Sequence, residues 1–204
     1  MNTNLETGTA MARFKTLLLF GAPGSGKGTQ GKILGDIPGF VHVACGEVFR
    51  NLRVGSPLGS VFLEYSSRGS LVPDAFTVKL WREYIDGLVV SGRFDPKSDV
   101  LILDGIPRNA AQARLMEEHI DVLRLYYLDC IDKDLMALRL KRRALHENRL
   151  DDASDAVIKN RLYVYEAETQ PVLNYYPKGK VKRIDSGRQP LEVLGDIITD
   201  MQTI

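Results

Sequence analysis

The chain has 204 residues, 44% of them apolar, with 27 lysines and arginines against 26 acidic residues and a net charge of +1. That length and apolar share suffice for one packed core, and the balanced charge excludes the basic field by which nucleic-acid binders work. The two cysteines, Cys45 and Cys130, have no CxxC spacing, which excludes a zinc site and a disulfide framework and suits a reducing interior.

In chain order, "MNTNLETGTAMAR" is a polar stretch without the charged start and apolar heart of a signal peptide, and a flexible tail over 1–13 is expected. "FKTLLLF" (14–20) is a short apolar run ending at glycine, the pattern of a strand buried on both faces. Similar runs recur at 40–44 ("FVHVA"), 99–104 ("DVLILD") and 122–129 ("VLRLYYLD"). A more polar one at 180–185 ("KVKRID") suits an edge strand. Helical patterns fill 74–86, 109–118, 132–143 and 154–173. Strands alternating with helices predict a parallel α/β sheet, whose ligands sit beyond the carboxyl ends of the strands. Two stretches interrupt the alternation. About fifty residues between Gly46 and Asp95 are mostly helical with no buried strand run. "RRALHENRLDD" (142–152) is charged and lacks an apolar face, so it is either a solvated connection or a flap whose partner charges belong to a ligand. No run approaches the roughly 20 apolar residues of a membrane span, and a soluble cytoplasmic protein is expected.

The chemistry concentrates after the strands. "GAPGSGKGT" (21–29) fits the G-x-x-x-x-G-K phosphate loop, follows a strand and opens a helix, so that aligned amides, the helix dipole and Lys27 suit a polyphosphate. Thr29 comes one place later than the usual Ser/Thr because Gly28 intervenes. Asp104 ends an apolar strand. A carboxylate there is costly unless it helps hold Mg²⁺, caps a helix or pairs with Arg108. The Arg108 fork suits bidentate phosphate recognition, and the Gln112 amide can pair with a base edge. The flap carries Arg139, Arg142, Arg143 and Arg149, with Arg161 on the next helix. These form either a self-paired charge cluster or a clamp for a transferring phosphoryl group. Arg50 stands one turn past a strand end, within reach of a second anion. His42, His119 and His146 are scattered, and none neighbours a nucleophile.

Together these segments resemble an adenylate kinase over nearly the whole chain after the tail. "GAPGSGKGTQ" is similar to that family's phosphate loop, and "HVACGEVFR" to its H-x-S-T-G-D-x-x-R segment. "GSLVPD" resembles its nucleotide-pocket loop and "DGIPRNAAQA" its DGFPR-x-x-x-QA. "RLDD…IKNR…Y…T-x-P" resembles its lid and following helix. The resemblance implies a monomeric phosphate-loop α/β sandwich with a five-stranded parallel sheet, an NMP-binding insertion over about 46–75 and a short lid over about 142–153. It also implies Mg²⁺-dependent transfer of the ATP γ-phosphoryl to AMP, giving two ADP. For ATP it implies Gly24, Ser25, Gly26, Lys27, Gly28, Thr29, Arg139, Arg143 and the Gln189 backbone carbonyl. For AMP it implies Cys45, Gly46, Arg50, Leu71, Val72, Gly105, Arg108, Gln112, Arg149 and Arg161. Lys27, Arg108, Arg143, Arg149 and Arg161 are the implied catalytic groups, and Asp104 orients Mg²⁺ through water.

The chain departs from the pattern at Cys45 (usually threonine), Glu47 (aspartate) and Ile106 (phenylalanine). Arg142 and Arg143 compete for one lid role, and an extra residue between Arg149 and Arg161 leaves that register open. UMP/CMP kinases share the short lid and "PRN" but carry a smaller amide where Gln112 stands, so Gln112 favours AMP. A guanine-reading N-K-x-D element, which a GTPase-like switch needs, is missing after the fourth strand run.

Overall fold

The computed structural model describes residues 13–52, 57–147 and 154–204. Five strands, β1 (Phe14–Phe20), β2 (Phe40–Ala44), β3 (Val100–Asp104), β4 (Ile120–Asp129) and β5 (Val181–Asp185), form one parallel sheet in the order β2-β3-β1-β4-β5. All five expected strands are present, and the polar β5 is an edge, as read from its composition.

Why β1 is apolar without alternation is visible in its packing. Leu18 and Phe20 join one core, with Trp81, Ile85 and Leu103. Leu17 and Leu19 join a second core on the opposite face, with Leu34, Tyr126 and Ile197. Successive side chains of a strand point to opposite faces, so a strand covered on both sides needs apolar residues throughout. The covering helices include α1 (Lys27–Gly35), α4 (Asp74–Val90), α5 (Ala110–Met116) and α8 (Pro190–Met201).

The region after β2 is helical, as expected, with α2 (Cys45–Arg50) and α3 (Pro57–Ser66) preceding α4. Two expectations change. α6 (Lys133–Glu147) continues through Arg142–Glu147, where the charge pattern predicts the start of a loop. Its leucine, arginine, lysine and alanine content favours a helix, and an exposed helix needs little apolar face. The single helix expected over 154–173 is three pieces: α7 (Asp155–Val164), a π turn (Tyr165–Thr169) and a 3₁₀ turn (Gln170–Asn174). Pro171 lacks the N–H that an α-helix requires, and the chain leaves α geometry before it. The tail up to residue 12 and the lid segment 148–153 lie outside the described residues.

α1 approaches β2 closely because both Gly31 and Gly35 face His42. A Cβ on Gly35 would meet the His42 Cβ at 2.6 Å and its backbone nitrogen at 3.2 Å. Rotating the imidazole does not relieve that contact, so strand and helix must separate. Gly35→Ala is therefore expected to destabilise the fold by about 1–3 kcal/mol despite alanine's better helix propensity. Thermal unfolding should show a fall of roughly 2–4 °C per kcal/mol; an unchanged or raised midpoint would refute the packing argument.

Candidate active site

Register brings the motif-bearing loops to one rim. Leu19 of β1 and Ala44 of β2 are both level with Asp104 of β3. The phosphate loop, the start of α2 and the loop after β3 thus leave the sheet side by side. The first crossover runs from β1 toward β2 and the later one from β3 past β1 to β4, so the crevice lies at the switch in direction. A cavity of about 470 Å³ opens there.

The phosphate loop obtains its shape from glycine. Gly24 and Gly26 have φ of +87° and +96°, a region costly for residues with a Cβ. At Gly24 a Cβ would also meet the Met136 carbonyl of α6 at 2.7 Å. Lys27 Nζ donates to the carbonyls of Gly21 (2.7 Å) and Ala22 (3.1 Å). Burial lowers the Lys27 pKa to about 8, opposed by Asp104 and reinforced by Arg143, Arg108 and Arg161. These three cations, from α6, the β3–α5 loop and α7, line the same cavity as this lysine. Cations crowded in a partly dehydrated cavity favour a polyanion as their common partner.

The guanidinium groups lie against glycines. Cβ atoms built on Gly46 and Gly105 would come within 3.1 Å of Arg50 Nη1 and 3.3 Å of Arg108 Nη2. Arg108 Nε donates to the Gly105 carbonyl at 2.9 Å, fixing the fork above the turn. Arg139 Nη1 donates to the Ser186 carbonyl at 2.9 Å, joining α6 to the loop after β5. The Arg161 stem crosses Gly69, where a Cβ would meet its Cγ at 2.9 Å, so α7 touches the loop that ends the α3 region.

Of the residues singled out from sequence, Gly24, Gly26, Lys27, Gly28, Thr29, Cys45, Gly46, Arg50, Leu71, Val72, Asp104, Gly105, Arg108, Gln112, Arg139, Arg143 and Arg161 line the cavity. Arg142 does so too. Ser25 is buried within the loop and is not a lining residue. Gln189 is also outside the lining; it is the N-cap of α8, its carbonyl accepting from Glu192 and Val193 N–H. Arg149 lies outside the described residues.

Gln112 is more constrained than expected. Its Oε1 accepts from Arg108 N–H and its Nε2 donates to Asp74 Oδ1, both at 2.8 Å. Cys45 is buried, and burial raises its thiol to about 11, so it acts as a small apolar surface rather than a nucleophile. The stacked Phe49 and Phe62, 5.2 Å apart, together with Thr77, Tyr165 and Thr169 also line the cavity. No motif signals them. Glu47, a departure from the family pattern, pairs with Lys32 at 3.3 Å beside the phosphate loop.

A sequence model of the family described as Adenylate kinase matches residues 19–181, most of the chain. The chain belongs to the adenylate kinase family. It is 33% identical to the adenylate kinase of Ruminiclostridium cellulolyticum, the match spanning 81% of this chain and 89% of the relative. It is 36% identical to that of Cyanothece sp., over 85% and 88%. It is also 36% identical to adenylate kinase 1 of Synechocystis sp., over 90% and 95%. A phosphotransferase fold and a nucleotide-binding site follow from adenylate kinase family membership. Among the described residues no helix is long and apolar enough to cross a membrane.

The Lys27 pKa gives this adenylate kinase site a testable pH dependence. A phosphate held by Lys27 is expected to need the ammonium form, which in the free enzyme is lost as pH rises through about 8. Above that pH, binding must first recover a proton. The affinity for ATP is thus expected to fall by up to about tenfold per pH unit until the higher pKa of the bound state is reached. A plot of kcat/KM for ATP against pH should turn down near pH 8. A plot level to pH 9.5 would contradict it.

Proposed function

We propose that the protein catalyses ATP + AMP ⇌ 2 ADP as a monomeric, cytoplasmic enzyme. The reading is carried by one observation: Lys27 lines one cavity with Arg108, Arg143 and Arg161, cations brought from separate elements. Two buried, unpaired thiols accord with a reducing compartment. In this reading the insertion over about 46–75 takes AMP, and the lid expected over about 142–153, of which 148–153 lie outside the described residues, serves ATP.

An AMP phosphate oxygen is already a nucleophile, so no general base is required. Its lone pair forms a bond to the γ-phosphorus as the bond to the β–γ bridging oxygen breaks, and ADP leaves carrying that electron pair. Lys27 and the phosphate-loop amides of Gly24–Thr29 hold the ATP phosphates, assisted by Arg139. Arg50 and Arg108 orient the AMP phosphate, while Cys45, Gly46, Leu71, Val72, Gly105 and Gln112 enclose the base and sugar. Arg143, Arg149 and Arg161 neutralise charge on the transferring group. Catalysis then arises from positioning, which can contribute about 7–11 kcal/mol, and from charges set in place before reaction.

The donor set fits Mg²⁺ held with nucleotide. No group of three acidic, histidine or cysteine ligands occurs among the described residues, so a cage made wholly of protein is not what they form. One carboxylate does overhang the loop: Asp104 Oδ2 lies 3.7 Å from where a Gly28 Cβ would sit. Magnesium typically takes one or two carboxylates, phosphate oxygens and waters, and Asp104 would hold it through water. When bound, it supplies charge neutralisation to the phosphates.

A coupled assay with ATP against AMP, CMP and UMP tests the reading. AMP is expected to have the highest kcat/KM. Turnover of CMP or UMP in preference to AMP would overturn the assignment.

A further inference from the structure

We propose that Asp74 is a positioning residue that locks the Gln112 amide in one orientation and thereby sets acceptor-base selectivity. Asp74 begins α4, far in sequence from Gln112. Its Oδ1 accepts two hydrogen bonds at 2.8 Å, from Gln112 Nε2 and from Asn109 Nδ2. The Asn109 Oδ1 in turn accepts from Gln112 N–H at 2.8 Å, capping α5. Gln112 Oε1 accepts from Arg108 N–H, also at 2.8 Å.

This ring of polar groups has one consistent arrangement. Flipping the Gln112 amide would set its oxygen against the Asp74 oxygen and its NH₂ against the Arg108 N–H. Acceptor would face acceptor and donor would face donor. Gln112 is only 1% exposed, so water cannot readily satisfy the flipped groups. The lock leaves one Nε2–H and one Oε1 lone pair for a ligand in the cavity that Gln112 lines.

An amide free to rotate offers donor and acceptor in either order. A locked amide offers one. The 6-amino purine edge of AMP presents N1 as acceptor and N6–H as donor. The 6-oxo edge of IMP presents N1–H as donor and O6 as acceptor, the reverse order. Asp74 thus makes the glutamine discriminate between the two. This inference rests on the reading that AMP is the acceptor and that Gln112 meets its base.

The test compares kcat/KM for AMP and IMP in the wild type, Asp74→Ala, Asp74→Ser and Asp74→Asn. Asparagine keeps an oxygen able to accept both bonds; alanine keeps none, and serine offers a shorter hydroxyl while retaining a good helix-start residue. The AMP/IMP ratio is expected to fall by about tenfold or more in the alanine and serine variants, the scale of one buried hydrogen bond to a charged group. Most of the AMP loss should lie in KM, with the KM for ATP little changed, and asparagine should restore the ratio. A merely structural acid at the start of α4 would lower activity toward both nucleotides alike. An unchanged ratio in whichever of the alanine and serine variants folds, or an asparagine variant as unselective as alanine, would overturn the proposal. A wild type that fails to phosphorylate AMP would instead defeat the functional reading itself.

Discussion

Replacing Arg143 by alanine is expected to lower kcat by on the order of 10³-fold while leaving the KM for AMP nearly unchanged. Arg143 stands on the last turns of α6, lines the cavity, and is the foremost of the cations that depress the Lys27 pKa. An anion lodged between Arg143 and the phosphate-loop lysine would draw both charges onto one group. Charge on the equatorial oxygens shifts most as the phosphoryl group passes between donor and acceptor, so the interaction is strongest at the transition state. A group of that kind contributes to kcat rather than to ground-state affinity. Arg142 also borders the cavity, which makes Arg142→Ala the natural control for the role the two residues contest. Steady-state kinetics in which Arg143→Ala raises KM and spares kcat would reject the assignment.

Arg108→Ala is expected to produce the opposite division. The Arg108 fork is fixed by the Gly105 carbonyl on one side, and its backbone N–H by Gln112 on the other. Such a preset guanidinium recognises the AMP phosphate before reaction begins. Its loss should raise the KM for AMP by roughly 10- to 150-fold, equivalent to the 1.5–3 kcal/mol of a hydrogen bond between charged groups. The KM for ATP should move little. If Arg108→Ala changed the KM for ATP more than that for AMP, the two ends of the cavity would have to be exchanged.

The sheet was legible because both of its faces are covered. Runs such as "TLLLF" and "VLILD" leave a buried strand as the reading that fits so short an apolar segment, and the alternation with helices then gives parallel pairing. The phosphate loop was legible because its chemistry is local: glycines, lysine and the helix start are contiguous. The end of α6 was not, since a charged stretch reads alike whether it is an exposed helix or a loop. The π turn at Tyr165–Thr169 has no sequence signal comparable to Pro171, which marks only the departure from α geometry. The Asp74–Gln112 contact was hidden for a different reason. It joins residues 38 positions apart, and only the packing of α4 beside α5 brings them together. Phe49 and Phe62 read simply as apolar residues until the fold stacks them beside the cavity.

The central claim is that two nucleotides meet end to end between the Lys27 loop and the Arg108 turn. The most direct measurement is a crystal structure with a dinucleotide in which two adenosines are joined through a chain of phosphates. The linking phosphates are expected to run from Lys27 to Arg108, with one adenine beside Cys45 and Gln112. Phosphates that bypass either residue, or a compound bound away from this cavity, would contradict the account.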